Sequence, residues 1–153
     1  VNRPVLVLAG PPGWDHRIES ALHAVPRSIR VLRAGYLPFS SLPALLGGAS
    51  CVAYPSLGEG FGLPVLEAMA CGAAVLTTRR LALPEIGGDA VAYCGVRAEE
   101  IGASLAGLLA DPARRSALRS AAVRRAKEFS WAASADLHRE AYARAASNRR
   151  RAR

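Results

Sequence analysis

Two glutamates eight residues apart, Glu59 and Glu67, flank a glycine turn that reads Gly58-Glu59-Gly60-Phe61-Gly62. An apolar run, Cys51–Tyr54, enters the turn through Pro55, and a helical pattern from about Pro64 to Ala70 leaves it. Pro64 suits the first position of a helix. The glycines ahead of it let backbone N–H groups point outward at the helix N-terminus, which is an anion site fit for a diphosphate. Glu67 is expected in the first helical turn, close to that anion. A second negative charge beside a phosphate is repelled, so the chemistry open to Glu67 is a sugar diol. An ionised carboxylate only accepts hydrogen bonds and can take them from two adjacent hydroxyls. Glu59, on the turn itself, would reach the other end of the diphosphate, where a transferred group sits. One glutamate at a helix start can simply satisfy the helix dipole. Two of them around one glycine turn after a strand favour a ligand.

These residues need elements to carry them. Val5–Ala9, Ile29–Arg33, Cys51–Tyr54, Val75–Thr78 and Val91–Cys94 read as strands, the first a buried one. Helical patterns stand between them at Asp15–Ala24, from Ser40 to Gly48 and from Pro64 to Ala70, with a short turn at Pro84-Glu85-Ile86. That alternation means an α/β fold, a Rossmann-like doubly wound parallel sheet. From Ala98 on the pattern is helix only. Asp111-Pro112 starts one helix and Ser130 caps another. The expected organisation is a nucleotide-sugar-binding domain over residues 1–147 and a basic disordered tail over 148–153. In such sheets ligands lie beyond the carboxyl ends of the strands, so the loops after Ala9, Arg33 and Tyr54 matter most. Gly10-Pro11-Pro12-Gly13 matches neither G-x-G-x-x-G nor a phosphate-binding P-loop, and Gly35-Tyr36-Leu37-Pro38 is by itself an ordinary strand exit.

Composition narrows the classes. The 153 residues are 51% hydrophobic and 21% charged, which describes one packed domain and excludes a disordered chain. No apolar run approaches the ~18 residues of a membrane span, and Val5–Leu8 is too short for a signal-peptide core. Cys51, Cys71 and Cys94 are widely spaced among apolar residues, which predicts reduced, buried thiols in a cytoplasmic protein and no metal site. Net charge is +8. Residues 1–111 carry 8 basic and 9 acidic side chains, whereas 112–153 carry 12 basic and 3 acidic. Nineteen of the twenty cations are Arg, as a GC-rich coding bias would write an ordinary surface. A basic face against anionic membrane phosphates, peripheral at the inner membrane face, is the sharper alternative. Specific nucleic-acid binding is disfavoured, because no aromatic platform interleaves the basic segment. His16, His23 and His138 lie far apart on helical patterns and form no constellation.

The segment from Glu59 through Gly-Phe-Gly-Leu-Pro-Val-Leu to Glu67 resembles the E-x7-E signature of the retaining glycosyltransferase family 4, the glycosyl transferases group 1. The likeness extends over about residues 4–146. It takes in Val5–Trp14, Arg33–Tyr36, Cys51–Ser56, Met69–Val75, Leu83-Pro84-Glu85, Gly88-Asp89-Ala90 and Phe129-Ser130-Trp131. The resemblance implies the C-terminal, donor-binding half of a GT-B fold, built from two Rossmann domains. It implies that Glu67 holds the donor ribose, that the backbone of Gly60, Phe61, Gly62, Leu63 and Pro64 cradles the diphosphate, and that Glu59 is the catalytic-end residue touching the donor sugar. Tyr36 and Leu37 would carry the nucleobase. The implied activity is hexosyl transfer from a nucleoside-diphosphate sugar to an acceptor hydroxyl, with no metal and no other cofactor. The Pro11-Pro12-Gly13-Trp14 loop resembles mannosyltransferase-like members, which favours GDP-mannose.

The sequence also departs from that family. Its donor domain opens with a further strand and helix bearing an Arg and a Lys that neutralise the diphosphate, and the chain starts at what looks like the second strand. The expectation is a fragment or one partner of a split enzyme. It would need an N-terminal acceptor domain as partner and be inactive alone. The alternative is a non-catalytic Rossmann-like module that binds a nucleotide or a protein and docks to membrane through its basic C-terminal segment.

Overall fold

A computed structural model describes residues 5–151 apart from 12, 14 and 16. Trp14, His16, Pro12 and the last two residues of the expected tail therefore lie outside the described residues. The chain forms two compact units, Val1–Leu42 and Pro43–Arg153.

In the first unit β1 (Val5–Ala9) and β2 (Arg30–Gly35) pair in parallel, from Val5 opposite Arg30 to Ala9 opposite Gly35. The helix α1 (Arg17–His23) lies between them in sequence and buries no residue. The expectation of a buried first strand is corrected. Val5, Leu6 and Val7 are 49%, 39% and 38% exposed. β1 has β2 as its one strand partner among the described residues, and α1 brings no buried face to cover it.

The second unit holds the core. A short 3-10 turn (Phe39–Ser41) leads to α2 (Leu42–Gly48), then β3 (Val52–Tyr54), α3 (Leu63–Ala70), β4 (Val75–Thr78), α4 (Leu83–Gly87) and β5 (Ala92–Cys94). Three helices follow, α5 (Ala98–Ala110), α6 (Pro112–Ala126) and α7 (Trp131–Arg151). The strands form a parallel sheet in the order β3-β4-β5. All of β4 is buried, as a central parallel strand covered on both faces must be. Successive side chains of a strand face opposite ways. Val75 joins the core made with Val65, Met69, Leu83, Ile86 and Ala122 from α3, α4 and α6, while Leu76 packs with Ala92 and Leu108. The five strands thus divide into two parallel sheets among the described residues, both Rossmann-like in their βαβ order.

Local chemistry explains the helix boundaries. Asp111 accepts the Arg114 N–H at 2.8 Å with Pro112 behind it, and Ser130 accepts the Ala133 N–H at 3.1 Å. Helix α3 stops where Gly72 takes φ +74° and donates its N–H to Met69. The tail expected to be irregular from 148 is instead helical to Arg151. Arg is a strong helix former, and neither Gly nor Pro interrupts the run after Trp131. The three cysteines are free and half-buried rather than fully buried.

Candidate functional site

The site residues on the glycine turn are positioned by the carboxyl ends of β3 and β4. Thr77 and Thr78, both fully buried, donate their hydroxyls across to the carbonyls of Tyr54 (2.8 Å) and Ser56 (2.6 Å). The exit of β4 then follows the turn outward. Arg80 Nε donates to the Leu57 carbonyl at 2.8 Å, and Leu81 packs against Gly58. Leu81 holds φ +47°, a left-handed conformation that an L side chain adopts at a penalty. Arg79, beside it, lays its guanidinium over the Tyr93 ring at 4.0 Å.

Glu59 is held from behind. The Tyr54 hydroxyl donates to its Oε1 at 2.7 Å and the Ser56 hydroxyl donates to the same oxygen at 2.9 Å. Among the described residues no donor reaches Oε2. One oxygen is therefore anchored and the other is presented, which is how a carboxylate is fixed for a hydroxyl-bearing ligand. The pairing also marks Tyr54. Burial first, then the hydrogen bond to Glu59 and its charge, push the phenol up to about 12.

Beyond Glu59 the chain turns into α3. Gly62 is the N-cap residue at φ +101°, and a Cβ there would stand 2.8 Å from Leu83 Cδ2. The carbonyl of Gly62 accepts from Val65 and Leu66. The N–H groups of Gly60, Phe61, Gly62 and Leu63 meet no acceptor among the described residues. Those of Gly62 and Leu63 are donors left open by the helix start, and those of Gly60 and Phe61 lie on the turn before it. Phe61 lies edge-on to Phe129, with ring centroids 6.1 Å apart.

The placement of two expected residues changes. Leu63 is the first helical residue and Pro64 the second. Glu67 is thus the fifth, in the second turn rather than the first, and its side chain is exposed. The helix begins one residue early because left-handed Gly62 can take the cap position that a side chain could not. Glu59 and the 60–63 backbone are brought together by one turn, and Glu67 projects from the helix that the turn starts. Tyr36, 85% exposed, and Leu37 stand at the exit of β2 in the first unit. Tyr54, Ser56, Thr78 and Arg80 were not singled out from sequence. A Tyr closing the strand and a Ser two residues later are signals that could have found the first pair.

The remaining polar anchors explain part of the C-terminal charge. Arg115 donates to the carbonyls of Leu108 and Leu109 at the end of α5. Arg119 donates to Gly47 and Ala49 at the end of α2 (2.9 and 2.7 Å). Arg125 donates to Glu85 and Ile86 at the end of α4 (2.6 and 3.3 Å). Three cations of one helix, α6, thus meet the negative ends of three others.

Parallel strands with helices on both faces, opening at their carboxyl ends into a glycine turn and a helix N-terminus, define a Rossmann-like domain of the kind found in GT-B glycosyltransferases. The chain belongs to the glycosyl transferases group 1 family, whose sequence pattern matches residues 1–126. It is 37% identical over 130 residues to the O-antigen chain mannosyltransferase B of Escherichia coli, which covers 82% of this chain and 34% of that protein. It is 34% identical over 157 residues to a D-inositol 3-phosphate glycosyltransferase of Rhodococcus opacus, covering 94% of this chain and 34% of that one. The chain spans about a third of the length of these curated relatives. Among solved structures, Anabaena HepE in complex with UDP and glucose superposes with a TM-score of 0.69. It is 19% identical and covers 90% of this chain and 39% of that chain. No helix among the described residues is long and apolar enough to cross a membrane.

Proposed function

We propose that this chain is the donor-binding part of a retaining hexosyltransferase that moves mannose from GDP-mannose to an acceptor hydroxyl. The observation that carries the reading is the Glu59 carboxylate, fixed through Oε1 by Tyr54 and Ser56 on a turn whose next four N–H groups lack acceptors. Those N–H groups and the positive end of α3 suit the diphosphate leaving group without a metal. Glu59 Oε2 suits a hydroxyl of the donor sugar, so that the sugar is oriented while its bond to the diphosphate lengthens. Glu67, a turn further along α3, is assigned the ribose diol. The mannosyltransferase relative supports mannose, and the UDP-bound neighbour supports a nucleotide sugar in general. The acceptor site is assigned to an N-terminal domain of the enzyme. Three free thiols agree with a cytoplasmic setting.

The test is a calorimetric titration with GDP, UDP and ADP, each with and without its sugar, on the wild type and Glu67→Ala. Removing one charge-assisted contact to the ribose weakens binding by about tenfold to a hundredfold, ~1.5–3 kcal/mol. Preference for GDP, lost in the mutant, supports the reading. Preference for UDP keeps the transferase and rejects GDP-mannose. Equal binding by Glu67→Ala rejects the ribose role.

A further inference from the structure

A cavity of about 250 Å³ opens between the end of α2 and the first half of α6, and it shares no residue with the glycine turn. Ser50, Arg115, Ser116 and Arg119 supply its polar lining, and no carboxylate lines it. Both guanidinium groups are pinned by a single nitrogen, Nη2 of Arg119 on the Gly47 and Ala49 carbonyls and Nη1 of Arg115 on those of Leu108 and Leu109. The anchoring fixes the guanidinium planes and leaves donors over. Arg119 Nε is buried and has no hydrogen-bond partner among the described residues. A buried donor without an acceptor is rare and unfavourable. The hydroxyls of Ser50 and Ser116 have no hydrogen-bond partner among the described residues. One water could accept from Nε, but it would leave two cations in a lining without a carboxylate.

We propose that this cavity binds a tetrahedral phosphate, held by the guanidinium groups of Arg119 and Arg115 and the two serine hydroxyls. Planar guanidinium forks suit phosphate oxygens better than any other acceptor of this size. The same chemistry is offered by free phosphate and by an anionic lipid headgroup, and residues 112–153, with 12 basic against 3 acidic side chains, would favour either.

The experiment is an NMR titration of the chain with inorganic phosphate, following the Arg119 Nε–H and the amides of Ser50 and Ser116. Alongside it, sedimentation is run with vesicles of phosphatidylglycerol or of phosphatidylcholine. Ser116→Asp and, separately, Ser50→Asp place a carboxylate in the cavity at exposed positions that the fold tolerates. The expected result is a saturable shift at Arg119, weakened at least tenfold by either substitution. If the headgroup is the source, phosphatidylglycerol vesicles also retain the wild type and release both variants, while phosphatidylcholine retains neither. Shifts confined to residues 60–63, or phosphate and vesicle binding indifferent to both substitutions, would overturn the proposal.

Discussion

Gly62→Ala tests the geometry of the glycine turn against a matched control, Gly60→Ala. At Gly62 the backbone has φ +101°, where a side chain adds about 1–2 kcal/mol of strain. The new methyl would also stand 2.8 Å from Cδ2 of Leu83, which is fully buried and can yield little. Overpacking of that kind adds ~1–3 kcal/mol. The stiffer unfolded chain returns about 0.4–1 kcal/mol. The central values sum to a destabilisation of about 2–3 kcal/mol. At Gly60 a Cβ meets nothing within 4 Å and φ lies outside the left-handed range, so the change should stay within ~0.5 kcal/mol. Urea unfolding followed by circular dichroism reads both. With a slope of about 2 kcal/mol/M, the midpoint of Gly62→Ala falls by roughly 1–1.5 M and that of Gly60→Ala stays in place. Equal midpoints for the two variants, in either direction, would refute the reasoning, because they share their chemistry and differ only in backbone angle and neighbour.

Tyr54 should ionise only near pH 12. A 295 nm titration of wild type minus Tyr54→Phe should therefore show no phenolate between pH 9 and 11. The folded value lies above the unfolded one of ~10, so the stability from the neutral phenol is whole below pH ~10 and is lost as pH climbs towards 12. Glu59→Gln removes the charge that supports the shift and should bring the titration down. Arg125→Ala removes two carbonyl contacts and the ion pair with Glu128. With the side chain about a third exposed, a loss of about 1–2 kcal/mol is expected in thermal unfolding; no change would mean that water replaces it. Burial pushes the Cys51 thiol up to about 11. Iodoacetamide at pH 8 should modify it roughly a hundredfold more slowly than an ordinary free thiol, and modification at the ordinary rate would place it in water.

What sequence revealed was local. The alternation of strands and helices, the helix starts at Asp111 and Ser130, and the spacing of Glu59 from Glu67 all follow from residues within a few positions of one another. The turn assignment of Glu67 failed because Pro64 and Gly62 both signal a helix start, and sequence alone chose the wrong one. Exposure of β1 could not be read from Val5-Leu6-Val7-Leu8, since an apolar run records what a strand would bury and not what covers it. The arginine caps were out of reach for a different reason. Arg119 and Arg125 meet carbonyls 70 and 40 residues away, and a carbonyl carries no side-chain signature. The C-terminal charge was thus read as a surface, although three of its members serve inside the fold.

Those three arginines also set an order of assembly. A growing chain that has reached Asp111 already contains β1 to β5, the glycine turn, Glu59 and Glu67. Yet the last carbonyls of α2, α4 and α5 still wait for donors that lie between Arg115 and Arg125. Synthesis delivers the fastener after the parts it joins. The carboxyl ends of α2, α4 and α5 are therefore closed only once α6 has emerged.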